Sequence, residues 1–281
     1  MSASHSEVVG VARDYYNSGD ADNFYYQVWG GEDIHIGLYA DDDEPIADAS
    51  RRTVATMAEQ LGGSLQGARV ADLGAGYGGS ARWLVKHFAC EVCCVNLSEV
   101  QNERNREMNQ AAGADESIEV LDASFEQVPL PDSSVDIVWS QDSFLHSGDR
   151  AQVIREIDRI LKPGGRIVFT DPMQADDCPA GSLQPVLDRL HLESLGSPGY
   201  YREQADKYSW QEVAVTDMTH QLVRHYTRVR QELAAKRDAL SRQISDEYID
   251  RMIAGLGHWI DAGGRSLLYW GIFHFRKPEA S

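Results

Sequence analysis

Residues 68–85, ARVADLGAGYGGSARWLV, limit the possible folds of this 281-residue chain more than any other stretch. The apolar run from Val70 to Leu73 is bounded by glycine, a pattern typical of a buried parallel strand. Four glycines follow, at Gly74, Gly76, Gly78 and Gly79. Glycine lacks a Cβ and tolerates positive φ, so this backbone can turn sharply and lie against a flat ligand. A helix predicted from Ser80 points its N-terminal N–H groups at the same turn, which predicts a ligand site there.

One acid, Asp72, separates two classes of ligand for such a turn. A dinucleotide site has the pattern G-x-G-x-x-G, with a helix N-terminus on the pyrophosphate. Here the pattern is D-L-G-x-G-x-G-G. A carboxylate at Asp72 would repel a pyrophosphate and suits a ligand with an ammonium or sulfonium centre. The pattern resembles motif I of the class I methyltransferases, which bind S-adenosylmethionine; the alternative is an ordinary tight turn between a strand and a helix.

Strands and helices alternate along the chain, which indicates an α/β fold with a doubly wound, mostly parallel, Rossmann-like sheet of seven strands. The predicted strands are residues 70–73, 91–97, 118–121, 135–139, 166–173, 212–216 and 266–275. The predicted helices include residues 47–61, 99–112, 150–161, 183–195 and 200–208, and a turn is predicted at 162–165. A mostly helical insertion at about 217–263 precedes the last strand, and we expect it to cover the substrate. Ligands of such a sheet bind at the carboxyl ends of its strands.

The first 45 residues are unusually rich in aromatic side chains. These are Tyr15, Tyr16, Phe24, Tyr25, Tyr26, Trp29 and Tyr39. They form either a helical cap that packs on the sheet or a lid that offers π faces to a cationic amine or sulfonium. We expect a single domain over residues 1–281, with a lid at 1–45, a cofactor-binding core at 46–174 and a substrate-side half at 175–281.

The chain is strongly acidic. It has 44 Asp and Glu against 26 Lys and Arg, so its formal net charge is −18. Such a surface opposes binding to nucleic acid and to anionic membranes, and it favours solubility in concentrated salt. The sequence shows no signal peptide and no apolar stretch as long as a membrane span. We therefore expect a cytoplasmic protein whose partner is a small molecule, present as a monomer or a weak homo-oligomer.

Four cysteines, Cys90, Cys93, Cys94 and Cys178, do not form a metal motif. Cys90 and Cys93 have C-x-x-C spacing, but no second pair or histidine at metal-binding spacing completes a site. Cys93 and Cys94 lie in an apolar, strand-like run, where cysteine behaves as a small hydrophobic residue. We expect reduced, structural cysteines and no metal.

A set of sequence blocks narrows the resemblance within the methyltransferases. The blocks are FYYQVWGGEDIHIGLY, DLGAGYGG, NLSEVQNERN, WSQDSFLHS, LKPGGRIVFTDPM, LQPVLDRLHL and HWIDAGGR. In this order, and over nearly the whole chain, they resemble the sarcosine/dimethylglycine N-methyltransferases. The resemblance implies methylation of sarcosine to dimethylglycine and of dimethylglycine to glycine betaine, an osmoprotectant, with S-adenosylmethionine as the methyl donor.

The resemblance also implies which residues contact the cofactor. At the end of the second strand, Asn96 stands where the broader class has an acid, and its amide can still bond a ribose hydroxyl without bringing a charge. Ser124 and Phe125 follow the third strand, where methyltransferases bind the adenine. Tyr16, His35 and Ile36 are expected from the more distant phosphoethanolamine N-methyltransferases. The expected contacts are Asp72, Gly74, Gly76, Asn96, Leu97, Ser124, Phe125, Ser140, Tyr16, His35 and Ile36.

Asp142 and His146 are the candidate catalytic residues. Amino-acid nitrogens are largely protonated at neutral pH, so the attacking amine must lose a proton. The two residues are four apart at the end of the fourth strand and would share a face if helical. We predict that His146 accepts or relays the proton and that Asp142 orients it. The alternative is that Asp142 only positions the amine and His146 packs against the ligand.

The other end of the substrate is a carboxylate, which favours a bidentate arginine. Arg189, in the block LQPVLDRLHL, is the first candidate, followed by Tyr201 and Arg202. Trp29 and neighbouring tyrosines are expected to hold the methylated cation through their π faces. Pro172 and Met173 follow the fifth strand and are expected to shape the pocket around the methyl groups.

Two other functions remain open from the sequence. A phosphoethanolamine-type N-methyltransferase would share the D-x-x-x-H spacing, but its phosphate-bearing substrate favours clustered Lys or Arg, and the pocket segments contain little lysine. A non-catalytic S-adenosylmethionine-binding protein would use the helical insertion as an interaction surface. The pair Asp142 and His146 argues against the second function, because a protein that only binds does not need it.

Overall fold

A seven-stranded sheet forms the centre of the protein. The structure is a computed structural model, and it describes residues 7–190 and 192–280. Its strands are β1 (Arg69–Leu73), β2 (Glu91–Asn96), β3 (Ile118–Asp122), β4 (Val135–Gln141), β5 (Leu161–Thr170), β7 (Gln211–Asp217) and β9 (Gly271–Arg276). The strand order is β3-β2-β1-β4-β5-β9-β7. The first five strands in this order are parallel, and β9 is antiparallel to both of its neighbours. The predicted doubly wound, mostly parallel sheet is therefore confirmed.

Helices cover both faces of the sheet and build a layer beyond its carboxyl edge. They are α1 (Glu7–Tyr16), α2 (Gly19–Phe24), α3 (Ile46–Leu61), α4 (Gly79–Phe88), α5 (Glu99–Ala112), α6 (Arg150–Ile160), α7 (Gln184–Leu190), α8 (Pro198–Lys207), α9 (Thr219–Ala235), α10 (Arg237–Leu240) and α11 (Asp246–Gly264). A π-helical segment, Tyr25–Trp29, extends α2, and a 3-10 turn, Phe144–His146, follows β4. No helix in residues 7–190 and 192–280 has the length and apolar content to cross a membrane.

Alternating side chains of the parallel strands supply two separate cores. In β1, Ala71 and Leu73 join the core on one face, while Val70 joins the core on the other. In β4, Val138 joins the same core as Ala71, and Ile137 joins the same core as Val70. A strand that is buried on both faces needs an almost continuous apolar sequence, which is the pattern these strands carry.

Three sequence-based boundaries differ from the structure. The KPGG segment at 162–165 is an irregular part of β5 and not a turn, because Leu161 already pairs with Val135 before the register shifts. The helix predicted at 183–195 is the shorter α7. The predicted closing strand is interrupted at Trp270, since the short strand β8 (Leu268–Tyr269) pairs with β6 (Met173–Gln174), whereas β9 joins the main sheet.

The aromatic N-terminal segment and the helical insertion pack into one hydrophobic cluster. Trp29 lies 5.8 Å from Tyr226 of α9 between ring centroids, and Tyr226 lies 5.2 Å from Trp259 of α11. The Tyr15 hydroxyl is 3.0 Å from that of Tyr248. The two segments, far apart in sequence, thus form a common layer, called here the aromatic roof (residues 7–29 with α9 and α11).

Tyr77 fastens the glycine turn to this roof. Its hydroxyl is buried and donates to Asp22 Oδ1 at 2.7 Å, and Asp22 also pairs with Arg104. We expect Tyr77→Phe to lower the free energy of unfolding by about 1 kcal/mol, the usual net value of one hydrogen bond, because Asp22 keeps its arginine. Urea unfolding measures this change. Tyr26→Phe, at a half-exposed ring, is the control and should leave the midpoint unchanged; an equal shift in both variants would contradict the role given to the Tyr77 hydroxyl.

The four cysteines are free, and Cys90, Cys93 and Cys94 are buried. Burial raises the pKa of the Cys90 thiol to about 11, so this thiol stays protonated at neutral pH. Within the described ranges, no group of three His, Cys, Asp or Glu side chains is placed to hold a metal ion.

Candidate active site

The glycine turn after β1 forms one wall of a cleft at the carboxyl edge of the sheet. Gly74 has φ of +82°, and a Cβ on it would lie 2.2 Å from Ser143 Oγ. Gly76 has φ of +54°, with Ile34 close by. Only a residue without a side chain fits the turn at Gly74, so a ligand in the cleft meets bare backbone there.

This cleft, called here the cofactor cleft, collects most of the predicted cofactor residues. It is lined by Arg13, Tyr16, Ile34, Gly74, Gly76, Asn96, Leu97, Ser98, Gln101, Phe125, Gln141, Asp142, Ser143 and His146. Asn96 donates its side-chain N–H to Gln101 and Asn102, which fixes the amide at the end of β2. Eight of these lining residues were named from the sequence as cofactor contacts or catalytic groups. The parallel strand ends bring together all of them except Tyr16, which belongs to α1.

The structure places two predicted cofactor residues elsewhere. The hydroxyl of Ser140 donates to the carbonyl of Leu73 at 2.7 Å and ties β4 to β1. The hydroxyl of Ser124 accepts from the N–H of Glu126 and closes a turn after β3. Both serines are buried and neither lines the cofactor cleft, because each hydroxyl is used by the backbone nearby.

Asp72 lies beneath the turn, in a smaller cavity that joins the cofactor cleft at Gly74. This cavity is lined by Glu32, Asp33, Ile34, His35, Asp72, Gly74, Ala75, Gly79, Ser80 and Gln141. Burial raises the pKa of Asp72 to about 7; His35 opposes this rise and the carboxylate of Asp33 adds to it. A buried carboxyl of this kind is stabilised in its charged form by a cationic ligand group, as the sequence suggested.

A second cavity lies on the other side of the cleft, under the aromatic roof, and is called here the acceptor cavity. It is lined by Tyr16, Tyr25, Trp29, Ile34, His35, Ile36, Asp142, Leu145, His146, Pro172 and Tyr226. Tyr16, Ile34, Asp142 and His146 are common to it and to the cofactor cleft. The two predicted catalytic residues therefore stand where two ligands would meet.

Asp142 is held by backbone and indole donors and not by a helix. Its φ is +51°, and it follows β4 directly. Its Oδ2 accepts from the N–H of Ile36 and its Oδ1 from Nε1 of Trp270, both at 2.7 Å. Burial raises the pKa of Asp142, and these two hydrogen bonds, with His35, oppose the rise. Asp142 and His146 would share a face only in a helix, and the structure has none there, because only residues 144–146 form a 3-10 turn.

His146 contacts the N-terminal helix. Its Nε2 lies 2.9 Å from the hydroxyl of Tyr16, and the two rings meet edge to face with centroids 5.4 Å apart. This pair links α1 to the end of β4 across the opening shared by the cleft and the cavity. The assignment of His146 as proton acceptor stays a prediction.

The predicted carboxylate-binding residues are not brought together at the acceptor cavity. Arg202 is half-exposed and its Nε donates to Glu212 at 2.8 Å. Tyr201 is buried in the core and donates to Asp171 at 2.7 Å, and Met173 is buried in the same core. Arg189 lies in α7, but its side chain is outside the described part of the chain. Pro172 and Trp29 line the cavity as expected. His35 and Ile36 were predicted as cofactor contacts, but both line the acceptor cavity.

Sequence reasoning missed several lining residues, and two of those it missed bear on the acceptor side. Tyr226 reaches the acceptor cavity from α9, and Trp270 reaches Asp142 from the break between β8 and β9. In the sequence, Tyr226 appears only as one apolar position of a helical repeat. Trp270 lies in an apolar strand whose other members are core residues, so nothing local distinguishes it.

Comparison with known proteins agrees with this geometry. Residues 71–169 match the family described as a methyltransferase domain. A sarcosine/dimethylglycine N-methyltransferase of Halorhodospira halochloris is 56% identical over 96% of this chain and 97% of its own length. A protein of the same name from Aphanothece halophytica is 56% identical over 96% of this chain and 98% of its own.

A solved structure from Galdieria sulphuraria, whose name assigns it to the sarcosine dimethylglycine methyltransferases, superposes with a TM-score of 0.90. It shares 43% sequence identity and covers 95% of this chain and all of that one. Sequence identity at this level over nearly complete chains indicates membership of one family and not only a shared fold. The chain belongs to the sarcosine/dimethylglycine N-methyltransferases, within the class I methyltransferases.

Proposed function

We propose that this protein transfers methyl groups from S-adenosylmethionine to the amine nitrogen of sarcosine and of dimethylglycine, giving glycine betaine. The observation that carries the proposal is the meeting of the cofactor cleft and the acceptor cavity at Asp142. The family membership supports it, because relatives with more than half of their residues identical carry these substrates in their names. Glycine betaine would serve as an osmoprotectant, which fits the net charge of −18.

The cofactor cleft fits the methyl donor. The bare backbone of Gly74 and Gly76 leaves room for the methionyl part, Asn96 and Leu97 stand at the ribose side, and Phe125 offers an apolar face to the adenine. The donor supplies a methyl group that its sulfonium has already activated. Asp72 and the N-terminus of α4 provide charges of opposite sign for an amino-acid end. The protein therefore needs mainly to hold the donor and the amine in line, which contributes on the order of 7 to 11 kcal/mol to such reactions.

The acceptor cavity fits a small methylated ammonium. Asp142 presents a buried carboxylate to it, and a charge-assisted hydrogen bond to an ammonium N–H would orient the nitrogen. Trp29, Tyr25 and Tyr226 surround the cavity with aromatic rings. A nitrogen that has gained its last methyl has no N–H left, and the π faces retain it. Arg189 remains our candidate for the substrate carboxylate, since Arg202 is committed to Glu212.

Product analysis tests the proposal. We expect the purified protein, incubated with S-adenosylmethionine, to convert sarcosine into dimethylglycine and betaine, and dimethylglycine into betaine, as measured by mass spectrometry. Glycine and phosphoethanolamine are the comparison substrates. Transfer to phosphoethanolamine alone would favour a phosphobase methyltransferase, and binding of S-adenosylmethionine without transfer to any amine would favour a non-catalytic binding protein.

Trp270→Phe is expected to shift the acidic limb of the profile of kcat/KM against pH to higher pH. Burial raises the pKa of Asp142 and the hydrogen bond from Trp270 opposes this, so its loss raises the pKa further. Since the carboxylate form binds the ammonium, activity should disappear at a higher pH than in the wild type. We expect kcat/KM at pH 6 to fall roughly tenfold, the equivalent of one charged hydrogen bond, and to approach the wild-type value at high pH.

Trp210→Phe is the matched control, because the indole of Trp210 also donates to a carboxylate, Asp158, at 2.9 Å but lies far from both cavities. Its profile of kcat/KM against pH should match the wild type. A loss in Trp270→Phe that is equal at every pH would show that the indole acts through packing alone.

We further propose that the protein acts in the cytoplasm as a monomer or weak homo-oligomer, without nucleic acid or membrane partners. The acidic surface supports the absence of nucleic acid and membrane partners, and both cavities are lined by residues of one chain. Light scattering of the purified protein over a range of concentrations tests the oligomeric state, and a concentration-independent dimer would contradict it.

A further inference from the structure

His35 occupies the junction between the acceptor cavity and the cavity that holds Asp72. It lines the first together with Trp29 and Asp142, and the second together with Asp72 and Gly74. Methyl transfer requires the acceptor nitrogen to lie next to the donor, so a side chain shared by both cavities is close to the reacting nitrogen. His35 is 5% exposed, so its ring is shielded from bulk solvent.

The hydrogen bonds of His35 fix which nitrogen can accept a proton. Its Nδ1 lies 3.3 Å from the carbonyl oxygen of Ile36. A carbonyl only accepts, so Nδ1 carries the hydrogen and Nε2 of the neutral ring keeps a lone pair. Among the described residues, no group hydrogen-bonds to Nε2. Asp33 Oδ1, at 3.7 Å, is an ion-pair neighbour but too distant for a hydrogen bond.

Carboxyl groups outnumber cationic groups around the ring. Three buried carboxyl groups face it: Asp33 from its own loop, Asp72 from β1 and Asp142 from the end of β4. The opposing groups are few. Arg51 of α3 pairs with Asp33 at 2.7 Å, and burial lowers the pKa of His225 on α9 to about 3, so that ring is neutral.

We propose that His35 Nε2 takes the proton from the substrate ammonium before methyl transfer. The inference rests on the proposed function. One N–H bond of the ammonium breaks and one N–H bond forms on the imidazole, so the amine regains its lone pair. That pair then forms the bond to the methyl carbon as the carbon–sulfur bond breaks, and the proton passes from His35 to solvent. The ammonium of sarcosine carries two N–H hydrogens and that of dimethylglycine carries one. Each must lose one proton before it attacks, so one proton is released for every methyl transferred.

His146 is the competing acceptor, and its surroundings differ. Its Nε2 is already within hydrogen-bond distance of Tyr16, at 2.9 Å. It lines the cavity from the edge shared with α1, whereas His35 faces the three buried carboxyl groups. The geometry therefore assigns proton acceptance to His35 and gives His146 the task of holding α1 over the site.

The test compares His35→Asn with His146→Asn. Asparagine at position 35 can keep the hydrogen bond to the Ile36 carbonyl but has no basic nitrogen. We expect kcat for dimethylglycine at pH 7 to fall at least about 100-fold, the usual contribution of a general base. It should then rise by about tenfold per pH unit up to pH 9, as more of the bound amine loses its proton without the base. His146→Asn should lower kcat without this recovery.

Binding measurements distinguish the loss of a proton acceptor from a general disruption of the site. Calorimetry should give Kd values for S-adenosylhomocysteine, and for betaine in its presence, within about threefold of the wild type in His35→Asn, because betaine carries no proton. If the variant loses S-adenosylhomocysteine binding, His35→Gln replaces it in the same comparison. The proposal is overturned if kcat is unchanged, if kcat falls equally at every pH, or if only His146→Asn recovers with pH. Wild-type activity on sarcosine and dimethylglycine tests the proposed function separately.

Discussion

Replacing Asp142 with alanine should lower kcat/KM for dimethylglycine by about 1,000-fold, or about 4 kcal/mol, the typical effect of removing one partner of a buried ion pair. The substitution removes the carboxylate that faces the substrate ammonium. It also leaves the N–H groups of Ile36 and Trp270 without their acceptor. Steady-state kinetics measures the loss, and calorimetry should show betaine binding weakened while S-adenosylhomocysteine binding changes little.

Asp136→Ala is the matched control, since Asp136 lies on the same strand, β4, but at its opposite end, in an ion pair with Lys162. It should retain wild-type kcat/KM, with at most a small loss of stability, because exposed ion pairs contribute little. If Asp142→Ala kept its activity, the carboxylate would have no part in substrate binding and our placement of the acceptor would be wrong.

Gly74→Ala should abolish measurable cofactor binding. The new Cβ would lie 2.2 Å from Ser143 Oγ and 2.4 Å from its Cβ, and φ at this position is +82°. Neither the serine nor the turn can yield without moving the wall of the cofactor cleft. We expect the Kd for S-adenosylhomocysteine to rise at least about 100-fold, equivalent to about 2.7 kcal/mol, and the melting temperature to fall by several degrees.

Two further variants separate the collision from backbone strain. Gly67 has φ of +70° but open space around its Cβ position, so Gly67→Ala carries the strain alone and should keep cofactor affinity. Adding Ser143→Gly to Gly74→Ala removes the colliding atoms and should restore part of the affinity. If the double variant bound no better than Gly74→Ala, contact with Ser143 would not be the cause.

The fold and half of the site follow from local sequence. The Asp72 strand, its glycine turn and the residues after β2 and β3 come together because parallel strands place their carboxyl ends at one edge, a rule that needs no knowledge of distant contacts. Asn96, Leu97 and Phe125 fall in the cofactor cleft for this reason. Ser124 and Ser140 share the same strand ends, but the backbone uses their hydroxyls, and sequence spacing does not report this.

The acceptor side depends on contacts that no local pattern encodes. Asp142 is fixed by Ile36, 106 residues earlier, and by Trp270, 128 residues later. Arg202 was a reasonable candidate by residue type, yet Glu212 on β7 pairs with it at 2.8 Å. Both outcomes depend on packing between segments that lie far apart in the sequence.

The break in the terminal strand has a consequence for synthesis of the protein. Trp270 is synthesised after β1 to β8, yet its indole completes the hydrogen bonding of Asp142. A nascent chain that stops before residue 268 lacks β8, β9 and this indole. The glycine turn and the five parallel strands precede residue 268 in the sequence. An unfinished chain would therefore contain the residues of the cofactor cleft but lack one of the hydrogen bonds that hold Asp142. The hydrogen bonding of Asp142 is therefore complete only in a chain that includes Trp270.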